Sequence, residues 1–226
     1  MVKSIILLSG GLDSLVSLAM TREKYNVDLA LTFDYGQKSA LCEIEASQKI
    51  CEFYELEHKI IKLDWLKDIT QSSLVSEKDI PKTTLEDLNS QEFVNKSAVS
   101  VWVPNRNGTF LNIAASFADS YGYKYIVFGA NKEEGQTFPD NTQEFIDRIN
   151  DSFEYSTQVK PKVFAPLINF DKNDIVKKAL ETGVNLELTR SCYSDNAKHC
   201  GICESCVRLK RALEHNNCKG TVEKLF

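Results

Sequence analysis

"SIILLSGGLDSLVSLAM", residues 4–20, sets four consecutive apolar residues against a Ser-Gly-Gly turn and then resumes an apolar pattern at a different spacing. Residues 5–8 are too few for a buried helix and rich in branched side chains, which predicts a strand buried on both faces. From Ser14 onward Leu15, Leu18 and Ala19 recur at helical spacing. A strand that feeds a helix through small residues presents backbone N–H groups at the positive end of that helix, a natural place for an anion. Gly10 and Gly11 permit positive φ and carry no Cβ to obstruct close approach, and Ser9 and Ser14 add hydroxyls on either side. Asp13 repels an anion unless a cation intervenes or its side chain holds the loop, so it is expected to support Mg²⁺ or to orient the turn. The stretch matches neither Gly-x-x-x-x-Gly-Lys-Ser/Thr nor Gly-x-Gly-x-x-Gly, and Ser14 lacks the Gly-x-Ser-x-Gly elbow of a serine nucleophile.

Working outward, further strands are expected at residues 29–33, 59–63 and 125–128, with helices at 14–24, 40–54, 110–121 and 143–153. This alternation predicts an α/β fold: an open, mostly parallel sheet with helices on both faces. Residues 70–97 break the pattern, being polar, and are expected to form a surface insertion, either ordered over a ligand or a solvated excursion. Near the end of the sheet region Asp171 is an expected helix N-cap and Gly183 an expected stop. Ligands of open parallel sheets bind beyond the carboxyl ends of the strands. "SGGLDS", "DYGQ" and "GANKEEGQTFPD" all follow predicted strands, so one shared pocket is the simplest reading.

The 226 residues, 42% hydrophobic, suffice for one full core with a small appendage. A net charge of −5 gives no general attraction to nucleic acid or acidic membranes, and the basic tract "RLKRALEH" (208–215) reads as a solvated helix face rather than an RNA contact. The opening residues do not form a signal peptide and no run approaches a membrane span, so a cytoplasmic protein without membrane association or stable nucleic-acid binding is expected. Seven cysteines, an odd number, argue against a disulfide framework. Cys192, Cys200, Cys203 and Cys206 form C-x7-C-x2-C-x2-C, a spacing able to wrap one tetrahedral ion, with Gly201 allowing the chain to turn. Structural zinc is expected, and an iron–sulfur cluster uses the same ligand type. The expected division is a residue 1–185 α/β domain and a residue 186–226 metal-binding lobe.

"SGGLDS" after an N-terminal strand resembles the pyrophosphate loop of the ATP pyrophosphatase superfamily. Together with "FDYGQ", "VPNRN" and the terminal four-cysteine knuckle, in that order over nearly the whole chain, it is similar to the 7-cyano-7-deazaguanine synthase family (QueC, also called ExsB). The resemblance implies an adenine-nucleotide alpha-hydrolase-like fold, structural Zn²⁺, Mg²⁺ with ATP, and a homodimer. It also implies that ATP adenylates the carboxylate of 7-carboxy-7-deazaguanine, that ammonia converts this to an amide, and that a second ATP drives formation of the nitrile. By position, Leu8, Ser9, Gly10, Gly11, Leu12, Asp13, Ser14, Tyr35 and Gln37 would bind ATP. Arg106, Asn131, Phe138 and Asp140 would bind the substrate, with Asp13, Ser14 and Arg106 taking part in catalysis. Where many members read Tyr-Pro-Asp-Cys-Arg, this chain reads Phe138-Pro139-Asp140-Asn141-Thr142. Two rival readings share these motifs: a related ligase or transferase joining deazaguanine to another amine such as a protein N-terminus, and a nucleotide-sensing zinc interaction module.

Overall fold

The apolar runs pair side by side. In a computed structural model, which describes residues 2–226, β1 (Lys3–Leu7), β2 (Asn26–Asp34), β3 (Glu57–Lys62), β4 (Tyr125–Val127) and β5 (Lys162–Phe164) form one sheet. Their order is β3-β2-β1-β4-β5, with every neighbouring pair parallel. The helices are α1 (Leu12–Arg22), α2 (Ala40–Tyr54), α3 (Asp64–Ile69), α4 (Gln91–Val101), α5 (Arg106–Tyr121), α6 (Lys132–Gly135), α7 (Gln143–Ser156), α8 (Lys172–Glu181), α9 (Glu204–His215) and α10 (Lys219–Leu225).

Alternation along β1 divides the core in two. Ile5 and Leu7 join α5 and α7 on one face through Leu111, Ala114, Ala118, Ile146 and Phe153. Ile6 and Leu8 join α1, α8 and α9 on the other through Leu15, Leu18, Ile175, Val176, Leu209 and Leu213. Each fully buried Leu or Ile contributes about 1.5–3 kcal/mol by leaving water. Because Leu209, Leu213 and Leu225 belong to this second cluster, the helices after residue 186 pack directly on the sheet-covering layer.

The chain moves outward from β1 to β3 on one side and from β4 to β5 on the other, so the topology reverses between β1 and β4. The turns after these two strands therefore flank the crevice where an open sheet takes its ligand.

The expected strands and helices are present, with ends shifted by up to four residues and the short helices α3, α6 and α10 added, and three further differences stand out. The three-residue edge strand β5 is too short to carry an alternation signal. Residues 70–97 are solvated only in the middle: Ser72, Ser73, Leu74 and Val75 are buried, most of 77–92 is exposed, and α4 begins within the segment. Val94, Ala98 and Val101 supply its inward stripe, and the Ser90 hydroxyl accepts from Phe93 N at 3.3 Å as N-cap. The tract 208–215 is helical, but it faces solvent only through Lys210, Glu214 and His215. The Asp171 cap is present as a reciprocal capping box with Asp174, and Gly183 adopts φ +68 just past α8.

Candidate active site

The turn after β1 is built by its own small residues. Gly10 sits at φ +75, and a Cβ there would lie 2.8 Å from Ala46 Cβ, so α2 can pack on the turn only because the position is glycine. Ser14 Oγ donates to Gly11 O at 3.1 Å and accepts from Ser9 N at 3.3 Å, folding the turn onto the first residues of α1. Gly11 occupies the N-cap position without a side chain, leaving the positive end of α1 open to the cleft. The turn after β4 approaches from the other side, where a Cβ on Gly129 would meet Ser14 N at 3.2 Å.

Asp13 sits at this junction in a buried ion cluster. Its Oδ2 accepts from Lys172 Nζ at 2.5 Å and from Asn131 Nδ2 at 3.3 Å, while its Oδ1 is buried without a hydrogen-bond partner. Lys172, only 9% exposed, also donates to Glu134 Oε1 at 2.9 Å. Burial raises the Asp13 carboxyl to about 6 against the opposing pull of Lys172. Burial opposes the charge on Lys172 too, but Asp13 and Glu134 override it and hold its pKa above the usual lysine value. The sequence does not single out Lys172, which reads as an ordinary first-turn helix residue beside the Asp171 cap.

On the β2 side Tyr35 is buried at the cleft wall and its hydroxyl accepts from Arg106 NH1 at 3.2 Å. Gln37 lies behind it and does not line the cleft. Its Oε1 accepts from Tyr35 N at 2.9 Å and its Nε2 donates to Phe33 O and Glu43 Oε2, so its amide shapes the turn. Asn131 is likewise set back, capping α6 through Glu134 N while holding Asp13. Phe138 and Asp140 line the cleft near Arg106. Burial raises the Asp140 pKa while the Arg106 charge pulls the other way. Of the three positions that depart from the common family pattern, Phe138 lines the cleft and the other two have local roles: Asn141 Nδ2 donates to Asp140 Oδ1 at 3.1 Å, and Thr142 caps α7.

The fourth wall comes from the cysteine lobe, through Arg190, Ser191, Tyr193, Glu204 and Arg208. All four cysteine sulfurs lie within 4.8 Å of one another. A single tetrahedral ion with bonds of about 2.3 Å would draw such sulfurs to about 3.8 Å apart, a small contraction. A multi-iron cluster, which distributes its thiolates over different irons, needs them wider apart. Backbone N–H groups of Ser194, Cys200 and Cys203 donate to cysteine sulfurs at 3.5, 3.4 and 3.3 Å, the environment a thiolate requires.

Short contacts tie the lobe to the first turn. Arg190 N donates to Gly10 O at 2.7 Å, and Leu12 N donates to Ser191 Oγ at 3.4 Å. Ser191 N in turn donates to His199 Nε2 at 3.0 Å, so the ring proton sits on Nδ1, 3.2 Å from Leu225 O. Burial lowers the His199 pKa and keeps the ring neutral for this linkage. The basic tract also turns inward. Arg208, 13% exposed, donates to Glu133 Oε2 at 2.6 Å and to Glu204 Oε1 at 2.8 Å, and Arg211 donates to Glu133 Oε1 at 2.6 Å. The solvated-face expectation holds for Lys210, Glu214 and His215 but not for the two arginines, whose charges meet the Glu133 carboxylate of α6, far away in sequence.

The cleft thus gathers Leu8, Ser9, Gly11, Leu12, Asp13, Ser14, Tyr35, Arg106, Phe138 and Asp140, as the single-pocket expectation requires, with Gly10, Gln37 and Asn131 supporting it from behind. No helix among the described residues is long and apolar enough to cross a membrane.

Comparison with known proteins bears on this arrangement. A solved structure, the U34-tRNA thiolase NcsA from Methanococcus maripaludis with its [4Fe-4S] cluster, aligns with 99% of this chain and 70% of its own. Its TM-score is 0.50 at 18% identity, a likeness of fold alone. The 7-cyano-7-deazaguanine synthase of Methanosarcina mazei is 50% identical over 217 residues, covering 94% of each chain. That of Carboxydothermus hydrogenoformans is 49% identical, covering 94% of this chain and 98% of the relative. A family model described as queuosine biosynthesis protein QueC matches residues 3–217, which takes in the whole sheet, the Ser-Gly-Gly turn and all four cysteines, and the chain therefore belongs to the QueC family.

Proposed function

We propose that the chain catalyses the ATP-dependent conversion of 7-carboxy-7-deazaguanine and ammonia to 7-cyano-7-deazaguanine. The observation that carries this reading is the convergence of the open α1 N-terminus, Arg106 and Asp140 on one cleft in a chain of this family. A carboxylate oxygen attacks the α-phosphorus of ATP and pyrophosphate leaves. Ammonia displaces AMP to give the amide. The amide oxygen then attacks a second ATP, and loss of AMP with both amide protons leaves the nitrile. Adenylation each time converts a poor leaving oxygen into a good one, so no protein nucleophile is needed.

In this reading the N–H groups at the start of α1, with Ser9 and Ser14, hold the phosphates. The buried ammonium of Lys172 sits one side chain away, through Asp13. Asp13 Oδ1, buried and unpartnered, is the oxygen that fits Mg²⁺, which would neutralise phosphate charge when bound. Arg106 steadies the substrate carboxylate or the adenylate, its guanidinium aimed by the Tyr35 hydroxyl. Zn²⁺ fits the four thiolates and would fix the lobe with no position left open for chemistry.

Asp140, held by Asn141, suits the ring N–H and amino donors of the deazapurine. Asp140→Asn is expected to weaken deazapurine binding by about 1.5–3 kcal/mol, the worth of a charged acceptor. Phe138→Leu is expected to cost about 1 kcal/mol, chiefly lost stacking. Calorimetric titration with 7-carboxy-7-deazaguanine and, separately, with a non-hydrolysable ATP analogue checks both. Unchanged substrate affinity with weakened nucleotide affinity in Asp140→Asn would assign the segment to ATP instead.

A further inference from the structure

The family reading leaves Trp102 of the cleft without a task, and unlike Phe33, Phe110, Phe128 and Tyr193, which also line the cleft, it is not accounted for by core packing. It follows α4, in the same short segment as Arg106, and is only partly buried. Among the described residues it joins none of the hydrophobic clusters, so the core does not explain its presence. Its ring lies nearly parallel to that of Phe138, at an interplanar angle of 9° and a centroid separation of 6.2 Å. Phe138 is also partly buried, and both rings line the same cleft.

A planar guest can replace this ring-on-ring contact if the two side chains part. Aromatic pairs sit about 4.5–7 Å apart, centroid to centroid, so the two rings form a loose stack within the cleft. At 9° both rings can lie flat against one planar molecule. Two successive stacking contacts of about 3.5 Å each require walls about 7 Å apart. Centroids 6.2 Å apart set the upper limit on the gap between the ring planes, so the two side chains must part by about 1 Å or more to admit a guest, an adjustment open to partly exposed rings.

The charged groups sit where such a guest would need them. Arg106 is four residues beyond Trp102, and Asp140 two beyond Phe138; each of the two charges shifts the pKa of the other. A guanidinium and a carboxylate beside an aromatic slot match a planar bicycle that carries a carboxylate on one edge and N–H donors on another.

We propose that Trp102 and Phe138 form a two-sided aromatic clamp on the planar ring of the substrate, with Trp102 as a specificity-determining residue for the deazapurine. This rests on the function proposed above. Trp102→Leu is expected to raise the substrate KM roughly 10- to 100-fold, the range lost when a stacked base loses an aromatic partner, with kcat and the KM for ATP unchanged. Trp102→Tyr is expected to restore most of the loss, because it keeps a flat π-face.

A direct readout is available because the chain has only two tryptophans, and the other, Trp65, lies half-exposed on α3 outside the cleft. In a Trp65→Phe background, titration with 7-carboxy-7-deazaguanine is expected to quench the remaining Trp102 emission and to saturate at the calorimetric midpoint. The same titration of Trp102→Phe, with Trp65 intact, corrects for absorption by the ligand and is expected to show no saturable quenching. Calorimetric binding to the Trp65→Phe protein without quenching, or unchanged affinity in Trp102→Leu, overturns the clamp while leaving the proposed function standing. Absence of any calorimetric binding of 7-carboxy-7-deazaguanine to the unmodified chain, while the ATP analogue binds, overturns the substrate assignment and the clamp with it.

Discussion

Lys172→Met is expected to abolish turnover and to destabilise the fold by about 3–5 kcal/mol, the cost of leaving a buried ion pair with one partner. The ammonium lies 2.5 Å from Asp13 and 2.9 Å from Glu134, and the methionine would fill its volume without its charge. Two carboxylates would then face each other in a buried site with no cation between them. The pH dependence has a definite sign. A carboxyl whose folded pKa lies above its unfolded value loses stability as pH rises through that range. Asp13 already stands at about 6, and removing Lys172 moves it and Glu134 upward, so the defect is expected to be greatest near neutral pH and to shrink toward pH ~4. Urea denaturation across that interval measures it. The Asp13→Asn, Lys172→Met double variant is expected to regain much of the stability and none of the activity. Equal destabilisation at all pH values would show that packing, rather than charge, is what Lys172 supplies.

Removing the metal from the cysteine lobe is expected to have the second large effect. Four-thiolate sites of this kind contribute on the order of 10 kcal/mol to folding, and without an ion four sulfurs within 4.8 Å of one another, three of them on buried cysteines, must separate or protonate. The consequence reaches the chemistry, because Arg190 and Ser191 hydrogen-bond to Gly10 and Leu12 immediately before Cys192. Cys203→Ala, or chelation of the purified protein, is therefore expected to raise hydrogen exchange in residues 190–206 and also in the turn after β1. ATP turnover would fall with it. Elemental analysis of the untreated protein is expected to give one zinc per chain. Full activity in protein shown to be metal-free would reduce the lobe to an accessory. Iron in place of zinc would reject the assigned ion.

Much of this was written in local patterns. Residues 5–8 declare a buried strand by their branched side chains, and the following glycines declare a turn against a helix, which sets the parallel topology and the place of the cleft. The cysteine spacing is legible for the same reason: its ligands are close in sequence. What escapes is the pairing of charges between distant elements. Lys172 looks like a solvated helix residue until α8 brings it to Asp13, 159 residues away. Arg208 and Arg211 look like a basic surface until Glu133, on the four-residue helix α6, is found beneath them. Residues 70–90 carry too many serines and charges to suggest burial, yet Thr83 N donates to Ile202 O at 2.7 Å and seats the segment on the cysteine lobe. Periodicity reports which face an element buries, and it is silent about which polar partner waits there.

Oxygen bookkeeping tests the central claim most directly. Both oxygens of the substrate carboxylate must leave during nitrile formation, each carried away by a separate AMP. Incubation of the chain with ATP, Mg²⁺, ammonium and 7-carboxy-7-deazaguanine labelled with ¹⁸O in both carboxylate positions, followed by mass spectrometry, is expected to yield 7-cyano-7-deazaguanine free of label. Two AMP molecules would form for each nitrile, each with a single ¹⁸O, alongside unlabelled pyrophosphate. Label retained in a deazaguanine product, or recovered in phosphate with ADP as the spent nucleotide, would contradict the account.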